Sequence, residues 1–184
     1  MQLCFRTQPG NQRETSDRGG VCAETPVEEL SNPLGLLNDI SSWVPVSKLS
    51  DWIRAEIEKL GWTFPLMLDA EAEYAVRRRR RFLSLLSFAY TTGVFNSEEI
   101  SRKCCSDPHF QALCEGEAPP AIALWNFRRR NRLLLERILA GVFLLAVEER
   151  FGLEATLLPP ELEQDLCDRA AERLDVARHM DAGD

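Results

Sequence analysis

The sequence has few of the residues and motifs that carry hydrolytic chemistry. Only two histidines are present, His109 and His179, and neither lies in an H-E-x-x-H pair. A nucleophile elbow and a phosphate-binding P-loop are also missing. Carboxylates are abundant, but metal-dependent cutting of DNA needs acids that converge from separate strands of a sheet. No stretch of strand length alternates apolar and polar residues, so we expect no such sheet and no enzyme activity.

Paired cysteine motifs and long apolar runs are missing as well. None of the six cysteines lies in a C-x-x-C pair, and no secretory signal opens the chain, which favours a reducing, cytoplasmic location. The longest uncharged apolar run, residues 138–147, is far shorter than the roughly 20 residues that cross a bilayer. We therefore expect no membrane partner.

A group of four possible zinc ligands lies in the middle of the chain: Cys104, Cys105, His109 and Cys114. Adjacent cysteines on a helix diverge by about 100°, so Cys104 and Cys105 do not suit one tetrahedral ion. Buried thiols and a surface histidine are the simpler interpretation. We expect neither a metal nor another cofactor.

Charge is distributed unevenly along this acidic chain. The formal net charge is −7, yet residues 77–132 contain eleven basic and only five acidic residues. A basic centre between acidic ends favours a surface that binds a polyanion. A helical surface covered with salt bridges is the alternative.

Apolar residues recur at spacings of three and four from Ser47 onward, which predicts an all-α fold. Residues 1–32 have almost no periodic apolar residues and are predicted to form a disordered tail. A helix-turn-helix-like domain is expected over 47–152, followed by an acidic amphipathic helix and tail over 153–184. Helices are predicted over about 47–60 and 69–92, from 97 behind an Asn96 cap, from 108 behind an Asp107 cap, over a long segment at 120–151, and from 160 onward.

Two arginine clusters are the candidate polyanion contacts. The first cluster is the run of five consecutive arginines at residues 77–81. Successive helical residues point about 100° apart, so two or three of these arginines could face phosphates. The second cluster follows the apolar anchors Leu124 and Phe127, and its arginines and asparagines are types that bond guanine, adenine and phosphate. Pairing with Glu136 or with the acidic tail is the alternative for this second cluster. The candidate DNA-binding residues are Arg77, Arg78, Arg79, Arg80, Arg81, Arg102, Lys103, Asn126, Arg128, Arg129, Arg130 and Arg132.

The stretch from Phe82 to Ile100 resembles the N-terminal DNA-binding domain of bacterial insertion-sequence transposases of the DDE type. The resemblance covers residues 49–152, a little over half of the chain. It continues through Cys105, Asp107, Phe110, Leu113-Cys114-Glu115-Gly116, Pro119-Pro120 and Phe127-Arg128-Arg129.

This resemblance implies a helical domain that binds the terminal inverted repeats of the element. The chain departs from the family at Ala121-Ile122, where the family often has Asp-His. In the family a ribonuclease H-like domain with the DDE triad normally follows, whereas here an acidic helix comes after Gly152 and no triad can be carried over. We expect a truncated or stand-alone transposase-like protein, nucleoid-associated in the cytoplasm, that binds DNA without strand-transfer activity.

Two other interpretations remain open. The chain could be a helical interaction module that dimerises through residues 133–147, with itself or with a full-length transposase. It could also be a decayed gene product without a retained role. A salt-dependent affinity for DNA separates the DNA-binding interpretation from a module that binds only protein.

Overall fold

A computed structural model describes residues 37–61, 70–152 and 160–182, and within them the chain is all-α, as predicted. The predicted tail at 1–32 lies outside the described residues. None of the described helices has the length and hydrophobicity needed to cross a membrane. The elements are a 3₁₀ helix at Leu37–Ser42 and the helices α1 Val46–Lys59, α2 Ala70–Thr91, α3 Ser97–Ser106, α4 Pro108–Leu113, α5 Ala121–Arg130, α6 Arg132–Phe151 and α7 Pro160–Ala182.

Side-chain caps begin α3 and α4 where the sequence predicts them. The Asn96 side chain accepts a hydrogen bond from the backbone N–H of Glu98 at 2.9 Å. Asp107 accepts one from the backbone N–H of His109 at 2.8 Å. These caps satisfy N–H groups that have no partner inside the helix, which is why the two helices start at these points.

The segment predicted as one long stretch over 120–151 is two helices. The break is at Asn131, whose backbone has φ −122° and ψ 25° and whose side-chain amide donates to the Phe127 carbonyl oxygen at 2.9 Å. Asparagine side chains compete for backbone hydrogen bonds in this way, and the helical conformation of α5 ends at this residue. The break lets α5 pack on α3 while α6 runs through the core.

Helices α2 and α6 form the centre of the core. Helix α2 packs against α1, α4, α5, α6 and α7, and α6 packs against α1, α2, α5 and α7. The predicted dimer surface at 133–147 is therefore mostly inside the molecule, and Leu133, which is 79% exposed, is its main exposed apolar side chain. The buried residues of α6 are Leu135, Ile138, Leu139, Val142, Phe143, Ala146 and Val147.

The predicted amphipathic C-terminal helix is α7, which lies against α6. A buried arginine, Arg173, also joins it to α2 by donating hydrogen bonds to the carbonyl oxygens of Tyr90 and Thr91. These carbonyls are at the C-terminal end of α2, where the helix dipole favours a cation. Burial lowers the pKa of Arg173 to about 10, and the nearby charge of Arg169 acts in the same direction. Helix α7 thus fixes the end of α2.

Candidate nucleic-acid interface

The five consecutive arginines of α2 divide between two grooves on opposite flanks of the helix. Arg78 and Arg79 line a groove between α2 and α5. The other three line a pocket between α1, α2 and α4: Arg77, Arg80 and Arg81. The division follows from the 100° step between successive helical residues.

The groove between α2 and α5 brings together members of both arginine clusters. It has a volume of about 720 Å³. Besides Arg78 and Arg79 it is lined by Arg130 and Asn126 from α5, and none of the described lining residues is a carboxylate. We call this the α2–α5 groove. Three arginines therefore supply the charge of its described walls.

An aromatic pair holds the two walls of the α2–α5 groove together. The rings of Phe82 and Phe127 meet edge to face, with centroids 5.2 Å apart and planes at 75°. Such an arrangement is favourable for aromatic rings and fixes the spacing of α2 and α5. The guanidinium of Arg78 lies 5.3 Å from the centroid of the Phe82 ring, a cation–π contact that holds this charge above the aromatic floor.

The outer face of α5 continues from the groove. Ile122 is 62% exposed, and the Arg129 guanidinium lies 4.6 Å from the centroid of the Trp125 ring. The amide of Asn126 donates to the Ile122 carbonyl oxygen at 3.0 Å. Asn126 can therefore form two hydrogen bonds with an adenine only if this amide gives up its hydrogen bond with the Ile122 carbonyl oxygen. Arg129 and Arg130 are both exposed at the end of this face.

Arg128 does not project outward with its neighbours, contrary to the sequence prediction. It lies one helical turn after the buried Leu124, on the inner face of α5, and it is 3% exposed. Its Nη1 is 2.7 Å from Asp181 Oδ2 and donates to the Tyr90 hydroxyl at 3.4 Å. Burial lowers the pKa of Arg128, but Tyr90 and Asp181 outweigh this effect and the net direction is upward. Arg128 thus binds buried partners inside the protein and is not part of the exposed surface of α5.

Arg132 pairs with two carboxylates, which was the alternative that the sequence left open. Its guanidinium lies 2.8 Å from Asp175 on α7 and 3.0 Å from Glu136 on its own helix. The hydrogen bond with Asp175 is the largest cause of its raised pKa, and the same bond lowers the pKa of Asp175. Arg132 joins α6 to α7.

The remaining predicted residues lie away from the α2–α5 groove. Arg77 and Arg81 pair with Glu115 and Glu117. Arg102 and Lys103 are on α3, where the Lys103 ammonium lies 5.7 Å from the centroid of the Phe110 ring. The groove thus unites Arg78, Arg79, Asn126 and Arg130, with Arg129 beside it.

Sequence reasoning missed some residues of the groove and of the buried network behind it. Tyr74, which is 57% exposed, lines the groove one helical turn before Arg78, and this spacing was a usable signal. Asp181 gave no such signal, because its partners Ser97 and Arg128 are far from it in the sequence.

The cysteine and histidine group does not form a metal site. Cys104 and Cys114 are buried, whereas Cys105 and His109 are exposed. Within the described ranges no three His, Cys, Asp or Glu side chains are arranged to hold a metal ion.

The chain was compared with known proteins at three levels. The comparisons with protein-family models, with curated proteins and with solved structures found no match. They therefore assign no family to the chain.

Proposed function

We propose that the protein binds DNA through the α2–α5 groove and the adjoining face of α5. The observation that carries the proposal is that residues of both arginine clusters line the same groove. Arg78 and Arg79 line the same groove as Arg130, and no described residue lining the groove is a carboxylate. The chain as a whole is acidic, with a net charge of −7, so this groove stands out as a cationic surface.

The chemistry of these side chains suits a phosphate backbone. Arginines that line one groove attract an anion, and the planar guanidinium bonds phosphate through two donors. Each DNA strand carries one phosphate per about 3.4 Å of helix axis, so one strand can contact several of these arginines. The acidic surface elsewhere disfavours other orientations of the protein on DNA.

The outer face of α5 would lie against the DNA bases or the groove edges. Ile122 offers an apolar contact of the kind that thymine methyl groups accept, and Arg129 offers a bidentate donor for guanine. Recognition of insertion-sequence ends and a partnership with a full-length transposase rest on the resemblance alone. The absence of strand-transfer activity rests on the sequence after Gly152, in which no DDE triad is identified. Each of these stays a prediction.

Titration of a labelled DNA duplex, followed by fluorescence anisotropy at low salt, tests this proposal. The groove variant is Arg78→Gln with Arg130→Gln, and its control is Arg137→Gln with Arg178→Gln, two exposed arginines outside the groove. Both variants lose the same formal charge. We expect the groove variant to bind at least about tenfold more weakly than the control, since hydrogen bonds between charged groups are lost.

Equal affinities of the two variants would contradict the groove assignment. If the native protein binds no DNA at low salt, the interaction-module interpretation replaces this proposal. Circular dichroism of each variant checks that the helices are retained, and glutamine is a good helix former at both groove positions.

A further inference from the structure

We propose that the α2–α5 groove is a site for unpaired DNA, in which one base of a single strand stacks on the ring of Tyr74 while the arginines hold its phosphates. This inference rests on the proposed function and names the form of DNA that engages the whole groove. Tyr74 is the residue that would distinguish a single strand from a duplex.

The groove contains apolar and aromatic surface that phosphate contacts do not require. Its volume of about 720 Å³ lies in the range of about 300–1,000 Å³ that is usual for pockets holding small organic groups. Exposed apolar side chains that gather in one groove are typical of a binding surface. The apolar and aromatic lining residues are Tyr74, Ala75, Phe82, Ile122, Ala123 and Phe127.

Helix α2 places Tyr74, Arg78 and Phe82 in one row along the groove. They are four residues apart, so they share a face of the helix and follow each other at about 6 Å along its axis. Phe82 is buried against Phe127, and the Arg78 guanidinium covers the Phe82 ring. Tyr74, at the outer end of the row, is 57% exposed, and its ring has no aromatic or cation–π partner in the described part of the chain.

This row has the two components that single-stranded nucleic acids need. Aromatic side chains stack on bases, and because every base has a π face, the contact tolerates any sequence. A cationic groove follows the backbone of the strand. A base on Tyr74 would leave its phosphate beside Arg78, one helical turn away, and Arg130 would meet a neighbouring phosphate from the opposite wall.

A base in a duplex does not offer the same contact. It is already stacked between its neighbours, and its face becomes accessible only when it leaves the stack. Duplex DNA should therefore use the arginines of the groove without using the Tyr74 ring. The two forms of DNA should respond differently to a change at Tyr74.

Fluorescence anisotropy at low salt tests the proposal with a labelled thymine oligonucleotide of about 12 nucleotides, a length within the usual site sizes of single-strand binders. We expect Tyr74→Ala to lower the affinity for this strand about fivefold to a hundredfold, the range for the loss of one stacked base. Tyr74→Phe keeps the ring and should bind within about twofold of the native protein. The control is Leu133→Ala, an exposed apolar position outside the groove, which should also bind as the native protein does.

The same variants are titrated with the strand paired to its complement. Tyr74→Ala should keep its affinity for this duplex within about twofold. Alanine is the best helix former, so α2 should be retained, and circular dichroism checks this. A strand that carries 2-aminopurine reports stacking directly, since its fluorescence should be quenched by the native protein and by Tyr74→Phe, and much less by Tyr74→Ala.

Two results would overturn the inference and leave the proposed function standing, provided that duplex binding still depends on Arg78 and Arg130. One is an unchanged affinity of Tyr74→Ala for the single strand. The other is an equal loss of affinity for the single strand and for the duplex, because Tyr74 would then serve the groove as a whole. If the native protein binds neither form of DNA, the inference and the proposed function are both wrong.

Discussion

The guanidinium of Arg128 lies 2.7 Å from the carboxylate of Asp181, and these side chains are only 4% and 6% exposed. Asp181 also accepts hydrogen bonds from the backbone N–H and the hydroxyl of Ser97, at 2.7 and 2.5 Å. One carboxylate near the end of α7 therefore binds the first turn of α3 and the last turn of α5. The C-terminal helix takes part in positioning α5, the helix proposed to face DNA.

Replacing Asp181 by alanine should lower the free energy of unfolding by about 3–5 kcal/mol, because Arg128 would be left buried without its charge partner. Urea unfolding followed by circular dichroism measures the change. The control is Asp165→Ala, an exposed position on the same helix, where the loss should stay within about 0.5 kcal/mol. Equal losses in the two variants would show that the buried pair is not essential.

Burial of Tyr90 should make stability depend on pH in the alkaline range. Burial raises the pKa of its phenol from 10.0 to about 12, with Arg128 acting in the opposite direction. Since the folded-state pKa is raised, this contribution to stability is fully present below pH 10 and is lost as the pH rises towards 12. The chain has two tyrosines, so the Tyr74→Phe variant isolates Tyr90 for titration by ultraviolet absorbance. Ionisation of Tyr90 near pH 10 in the folded variant would contradict the buried placement.

The side chain of Glu56 from α1 approaches Gly141 in α6 closely. A Cβ atom at Gly141 would overlap with Oε2 of Glu56, which is 8% exposed. Alanine is favoured over glycine inside a helix by about 1 kcal/mol. We expect Gly141→Ala to stabilise the Glu56→Ala variant by about that amount and to give no gain in the native chain.

A double-mutant cycle from urea unfolding measures this coupling. The Glu56→Ala variant alone is the reference, because it also removes the ion pair with Lys59. The same gain from Gly141→Ala in both backgrounds would mean that the two residues do not touch.

The local features of the fold could be predicted from the sequence because they depend on neighbouring residues. The caps Asn96 and Asp107 and the helix periodicity gave six helical segments in the right order. The division of the last long segment at Asn131 was not predicted, because asparagine occurs both inside helices and at their ends. Its conformation is set by where α5 and α6 pack.

The candidate site was predictable in its residue types and only partly in its arrangement. Because successive helical residues point about 100° apart, the sequence predicts that the arginines of α2 face different sides of the helix. The packing of Phe82 on Phe127 decides which of them face α5. Arg128 was predicted to face outward, although it follows the apolar anchor Leu124 by four residues and this spacing favours the inner face. Its partner Asp181 depends on long-range packing that no local pattern reveals.

The salt dependence of DNA binding tests the central proposal most directly. With a labelled duplex between about 50 and 200 mM salt, log Kobs of the native protein should fall linearly with log salt, with a slope near −3 if the groove arginines Arg78, Arg79 and Arg130 each displace one counterion. The Arg78→Gln, Arg130→Gln variant should have a slope shallower by about 2, and the Arg137→Gln, Arg178→Gln control should keep the native slope. An unchanged slope in the groove variant, or no DNA binding by the native protein at the lowest salt, would contradict the proposal.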